Sequence, residues 1–216
     1  QVLPLGWSGV LSFVAFVPLL LAIDEQASNV RRRTIVAWCY VAFFIMHGLT
    51  NWWVCSWQER TDPYLFASGI ALWIGHPFFL MLPFLVLASI RRRLGSRWML
   101  AVTPLAIAGF EWMHGQSDAS YPWLTTGYDL VHTPFGQLAE WVGVYGLTLL
   151  IATVNTVVVL LLKRRQQGRT VLRPLLALIA GILAWGVMGK LLADAAAYPS
   201  SDIRPLDVFL VQPNED

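Results

Sequence analysis

Glu111 and His114 stand three residues apart in an apolar segment, so on a helix they share a face. A carboxylate and an imidazole at that spacing can bind a polar group, pass a proton or satisfy each other. An ionisable residue within a membrane helix is a functional candidate by default; a mutually satisfied structural pair is the other reading, and both stand here. Glu-x-x-His also holds iron in di-iron bundles, but those need a second copy and further glutamates on other helices. No second copy occurs, and neither a metal nor another cofactor is expected.

Other polar residues are scattered through apolar surroundings. Glu140 and Asn155 fall on the next apolar segment, and Asn155 is deep enough to need a partner, which suits a helix–helix contact. His47 and Asn51, four apart, face a bundle interior, whereas His76 and His132 lie at a break and in a loop, outside any ligand-like set. Gly143 and Gly146 suit close packing, and Ala177 and Gly181 form a small-xxx-small pair. Cys39 and Cys55 read as one helix; at about 1.5 Å per residue they are roughly 24 Å apart, beyond disulfide reach. No nucleophile, base and orienting group assemble from these residues, and no phosphate-binding glycine loop is present.

The elements that must position them are membrane helices. Of 216 residues, 56% are hydrophobic and 13% charged, with 11 tryptophans, against about 25% charged in soluble domains. Mean hydropathy is +0.57. No basic patch interleaved with aromatics points to nucleic acid. Spanning takes about 20 mainly apolar residues, which predicts an all-α bundle of six transmembrane helices over 5–23, 34–56, 65–90, 98–114, 138–162 and 171–193. The third is long and interrupted by Gly75-His76-Pro77 and Pro83, so a kink or tilt is expected there. The first lacks a basic leader and a small-residue cleavage site, so it reads as a span and not as a signal peptide.

Arginine and lysine set the orientation. Arg31, Arg32 and Arg33; Arg91, Arg92, Arg93 and Arg97; and Lys163, Arg164, Arg165, Arg169 and Arg173 make twelve of the 15 basic residues. All fall on one side if the six segments alternate, and that side is expected to be cytoplasmic. The loop 115–137 then faces outward, as do the two ends of the chain. Trp7, Trp52, Trp53, Trp57, Trp112, Trp123 and Trp141 gather near the outer side as an interfacial belt. At about 23 residues, the loop exceeds what a connection needs, and it holds Tyr121-Pro122-Trp123, Gly127 and two aspartates. After 193, residues 194–206 read as a linker, and 207–216, with the β-type run Val208-Phe209-Leu210-Val211, as the first strand of a further outer domain. That run, and a start at Gln1 at the edge of an apolar segment, suggest a piece of a longer protein.

The stretch 109–155 and the terminus resemble the bacterial apolipoprotein N-acyltransferase family. Glu111-Trp112 is similar to that family's Glu-Trp-Leu-Arg-Gly, Tyr121-Pro122-Trp123 with Gly127 to its Phe-Pro-Trp and following Gly, and Gly143-Val144-Tyr145-Gly146-Leu147 and Asn155 continue the likeness. Val211-Gln212-Pro213-Asn214 resembles the Val-Gln-Gly-Asn opening of the nitrilase-like domain. His114 stands where the family has Arg, and Pro213 where it has Gly. The resemblance implies eight membrane helices, of which these six are the second to seventh, in the bacterial inner membrane, with an outer nitrilase-like domain. It implies a Glu-Lys-Cys triad beyond Asp216 and none within this chain. The Cys takes an acyl chain from a phospholipid donor as a thioester and passes it to the α-amine of a diacylglyceryl-cysteine lipoprotein acceptor. The expected substrate-contacting residues here are Trp123, Tyr121, Pro122, Gly127, Glu111 and Trp112, with the loop bordering a lateral opening for acyl chains and Glu111 fixing it from beneath. Two other classes compete. A non-catalytic membrane module anchoring a polyprenol-phosphate mannosyl synthase is distinguished by the kind of domain encoded beyond Asp216. A transporter is disfavoured by the lack of an inverted repeat, a ring of charges or matched broken helices.

Overall fold

The computed structural model describes residues 5–55, 57 and 62–196, with the side chains of 5–7 and 196 left aside. Among the described residues every regular element is helical. Five segments of the described residues are long and apolar enough to cross a membrane: Ser8–Gln26, Arg32–Cys55, Pro63–Leu94, Pro134–Gln166 and Leu172–Ala195. The segment expected over 98–114 forms a 20-residue helix, Ser96–Gly115, about 30 Å long. Its length suits a span, but Arg97, Glu111 and His114 dilute its apolar run, and it is not among the five.

The chain opens with a 3-10 stretch, Leu5–Leu11, then α1 (Ser12–Ala15) and α2 (Val17–Gln26). The break between them has a specific cause. In a continuous helix the Phe16 N–H would donate to the Ser12 carbonyl. Instead it donates to Asn155 Oδ1 at 2.8 Å, while Asn155 Nδ2 donates to the Ser12 carbonyl at 2.7 Å and to the Ile151 carbonyl at 2.9 Å. A side chain inserted into the ladder in this way is a recognised source of kinks. The fully buried Asn155 therefore joins two spans, as its depth suggested.

α3 (Arg32–Asn51) is followed by a 3-10 turn, Trp52–Cys55, so Cys39 and Cys55 lie on one span, both as free thiols. The expected interruption of the next span is present as two breaks, giving α4 (Pro63–Gly75), α5 (Pro77–Leu80) and α6 (Leu82–Leu94). Pro77 begins α5 and Pro83 is the second residue of α6, first-turn positions where the missing N–H costs nothing. Tyr40 Oη donates to the Ile74 carbonyl at 3.0 Å, and Trp73 Nε1 to the Phe44 carbonyl at 3.0 Å, holding this broken span against α3. Gly95 ends α6, and α7 (Ser96–Gly115) returns along α6 and α8 (Ala139–Gln166).

Within α8, Gly143 has φ 67 and ψ 174, a region open essentially to glycine alone. Gly143 therefore serves a backbone bend; no neighbouring atom crowds it, contrary to the packing role expected. The last helix, α9 (Leu172–Ala196), docks through other small residues than expected. Gly189 lies against the Pro134 carbonyl and Gly186 against the Phe135 ring, whereas Gly181 meets nothing. Since α9 runs to Ala196, the first three residues of the expected linker are helical; the rest of it and the short β-type run lie outside the described residues.

One end of the bundle collects the arginines. Asp24, 1% exposed, accepts from Arg91 Nε at 2.7 Å and from Lys163 Nζ, and Lys163 also donates to Ser96 Oγ at 2.6 Å. Arg92 donates to the Val30 carbonyl at 2.8 Å. Four segments are thereby tied through one buried carboxylate whose charge is offset by two cations. The loop 115–137 closes the opposite end.

Candidate functional site

The loop is ordered by three short 3-10 turns, Pro122–Leu124, Thr126–Leu130 and Pro134–Leu138. It is anchored by apolar side chains sent down into the bundle: Leu130, Phe135 and Leu138 are buried with Phe13, Leu147 and Ile151, and Phe13 meets Phe135 edge to face at 5.3 Å. Each such burial contributes about 1.5–3 kcal/mol, which is why a connection this long holds one shape.

Glu111 supplies the polar anchor. The turn beginning at Thr126 has no side-chain cap of its own, and Glu111 reaches up from the last turn of α7 to provide one. Its Oε1 accepts the Thr126 N–H at 3.1 Å and the Thr126 hydroxyl at 2.5 Å, and its Oε2 accepts the Thr148 hydroxyl at 2.6 Å. Thr148 Oγ1 in turn accepts the Gly127 N–H at 3.0 Å. All of Glu111's partners donate, which suits the acceptor-only chemistry of a carboxylate. Gly127 is required by closeness: a Cβ there would collide with the Val144 carbonyl on α8. Glu111 and His114 do not pair, because the carboxylate turns to the loop and α8 while the imidazole packs against Phe110, Phe79 and His76.

Tyr121 seats the other side of the loop. Its ring stacks on His47 (centroids 5.8 Å, 20° between planes) and meets His76 edge-on at 5.3 Å, and its hydroxyl donates to Asn51 Oδ1 at 3.4 Å. His47 and Asn51 are buried, as their spacing predicted. His76 departs from expectation. The break before Pro77 turns it inward, between His47 at 5.4 Å and His114 at 5.2 Å, so three histidines from three segments gather beneath Tyr121. Even so, among the described residues no three His, Cys, Asp or Glu side chains are arranged to hold a metal ion.

Beside these anchors lies a cavity of about 620 Å³, bounded by the first span, α3, α5–α6, α7 and the loop. Its apolar wall includes Phe16, Phe43, Met46, Phe84, Ile107 and Phe110; Glu111, Thr126, Asp129 and His132 stand at the loop end. Trp123, 69% exposed, sits at the rim and meets Trp53 edge to face at 6.5 Å. Asp129 opens onto the cavity, yet the apolar mass around it pushes its carboxyl up to about 6. An apolar chamber of this size with polar groups at one end fits a chain-like lipid with a polar head.

Of the six residues singled out in the sequence, Glu111 and Trp123 line this cavity, Tyr121 and Pro122 lie over the histidines, and Gly127 docks the loop on α8. Trp112, 57% exposed, points away. Thr126, Thr148, Asp129 and His76 were not foreseen as partners. The threonines had a signal of sorts: a carboxylate in an apolar helix must find donors, and hydroxyls flank Gly127 and interrupt α8.

Residues 2–157, which contain this loop and the whole cavity wall, match the family model of the apolipoprotein N-acyltransferase N-terminal domain. The chain belongs to the apolipoprotein N-acyltransferase family. Curated relatives agree with this. The apolipoprotein N-acyltransferase of Chlorobaculum tepidum is 29% identical over 160 residues, covering 73% of this chain and 28% of that protein. Those of Pasteurella multocida and Ralstonia nicotianae are 26% and 27% identical over 194 and 219 residues, covering 82% and 96% of this chain. The chain spans 37% and 38% of their length. No solved structure matches significantly. The acyltransferase name thus belongs to proteins longer than the region matched here.

Proposed function

We propose that this chain is the membrane-embedded, lipid-handling part of an apolipoprotein N-acyltransferase of the bacterial inner membrane. All six helices cross the bilayer, α7 included, with the arginine-rich end in the cytoplasm and the loop 115–137 on the periplasmic side. The distribution of basic residues supports that orientation. The enzyme takes an acyl chain from a phospholipid as a Cys thioester and passes it to the α-amine of a diacylglyceryl-cysteine lipoprotein. The family resemblance assigns the nucleophile, base and oxyanion donor to a nitrilase-like domain beyond Asp216, in keeping with activated-nucleophile chemistry. The 216 residues alone then carry out no acyl transfer.

The observation that carries this reading is the apolar cavity of about 620 Å³ roofed by the Trp123 loop. Acyl chains of donor and acceptor pass along its walls, Trp123 borders the opening, and Glu111 holds the loop over it. A polytopic anchor with no lipid substrate needs neither a chamber of this kind nor a rigidly capped loop. In the full-length enzyme, Trp123→Ala lowers the rate of acyl transfer to a lipoprotein acceptor while membrane insertion stays at the wild-type level. Wild-type turnover in that variant would remove the proposal.

A further inference from the structure

A second, separate hollow runs along the outside of the bundle between α6 and α7. It measures about 960 Å³ and is walled by Leu82, Leu85, Val86, Ile90, Leu105 and Met113. It exists because α7 turns small residues toward it: Ala106 and Gly109 lie there one turn apart, and a Cβ on Gly109 would meet nothing. From Leu82 to Arg93 the helix rises about 17 Å, close to the depth of one leaflet of a hydrocarbon core about 30 Å thick. Pro83 and Phe110 line both hollows and stand between them.

The end of this groove is charged in one sense only. Arg91 is spent on Asp24 and Arg92 on the Val30 carbonyl, whereas Arg93 lines the groove and has no hydrogen bond or ion pair among the described residues. Arg97, with Ser96 and Trp98, lines an adjoining hollow of about 600 Å³. Among the described residues no acidic side chain lines either space. An apolar slot one leaflet deep, ending at two arginines and a tryptophan at the level of the head groups, matches an acyl chain joined to an anionic head. Basic pockets between helices at that level take such lipids.

We infer that the α6–α7 groove is a binding site for an anionic phospholipid of the leaflet at the arginine-rich end, distinct from the cavity beneath the loop. The guanidinium of Arg93 holds the phosphate, Arg97 favours a head group of net negative charge, and the chain lies over Ala106 and Gly109. The site does not depend on the acyl-transfer reading.

The test uses the full chain in nanodiscs of phosphatidylcholine doped with phosphatidylglycerol carrying a diazirine in its acyl chain. Adducts are mapped to peptides after photolysis. They are expected to concentrate on residues 82–113, and unlabelled phosphatidylglycerol should displace them about fivefold better than phosphatidylcholine does, the preference worth one arginine near a membrane surface. Arg93→Gln should remove most of that preference. Gly109→Leu, which fills the groove at an exposed helix position where leucine is the better helix former, should abolish those adducts while leaving the ones on α9 and the helical circular dichroism unchanged. Equal displacement by the two lipids, or equal labelling of α9 and of 82–113, would overturn the inference and leave only boundary lipid. Should Gly109→Leu alter the circular dichroism, the decision passes to Arg93→Gln, whose unchanged preference would overturn it equally.

Discussion

Removing the Glu111 carboxylate tests how the loop is held. In Glu111→Ala the Thr126 N–H and hydroxyl lose their acceptor, while the Thr148 hydroxyl can fall back on the Val144 carbonyl, 3.5 Å away. At about 1–3 kcal/mol for each of these two donors left unpaired in a part-buried setting, the loss is about 2–6 kcal/mol, the lower figure applying if water reaches Thr126. Glu111→Gln keeps one oxygen for Thr126 but turns an amide donor toward Thr148, so about 1–2 kcal/mol is expected there. The cost falls on a loop that also has apolar anchors in Leu130, Phe135 and Leu138, so the local effect should exceed the global one. Hydrogen exchange of the chain in nanodiscs reads this directly. The amides of Thr126 and Gly127 should exchange at least thirtyfold faster in Glu111→Ala and about tenfold faster in Glu111→Gln, while those of α8 beyond Ile151 stay protected. Wild-type protection of Thr126 and Gly127 in Glu111→Ala would refute the capping role.

Two further predictions concern the buried amide of Asn155 and the carboxyl of Asp129 at the cavity's loop end. Asn155→Leu leaves the Phe16 N–H and the Ser12 carbonyl facing an apolar side chain and should destabilise the bundle by about 2–4 kcal/mol, seen as a lower thermal unfolding temperature in detergent; an unchanged temperature would show that the break at Phe16 needs no partner. Asp129 has its carboxyl raised to about 6 from an ordinary 3.8, so its folded form favours the proton. Its contribution to stability is full below about pH 4 and is lost as pH rises through about 6. The difference in unfolding temperature between wild type and Asp129→Asn should therefore change between pH 4 and 7, moving against the wild type; a constant difference would contradict the shift.

Much of this architecture was legible in the sequence because long apolar runs and proline breaks act locally. Pro77 and Pro83 announce their interruptions, and a lone Asn155 within an apolar run announces a partner. The partners themselves are contacts between residues far apart in sequence, and no periodicity reports them. Glu111 was visible as a buried acid, but its spacing from His114 pointed to a pairing that the loop's unpaired N–H groups outcompete. His76 stands alone in the sequence, because the turn that brings it between His47 and His114 depends on how α4 and α5 pack against α3. Asp24 stood unnoticed at the end of the first span, although a carboxylate beside three arginine clusters is what binds that end together. Gly143 was readable as a special glycine, while the choice between close packing and a positive φ required the backbone.

The central claim is that acyl chains occupy the cavity beneath the Trp123 loop. The most direct measurement fills it. Ala15 lines the chamber from the first span and is exposed to it, so Ala15→Trp takes up space without disturbing Glu111, Tyr121 or Gly127. In the full-length enzyme, transfer from a labelled phospholipid to a diacylglyceryl-cysteine peptide should fall at least tenfold in Ala15→Trp, with membrane insertion and unfolding temperature unchanged. Transfer at the wild-type rate by that folded variant would contradict the account.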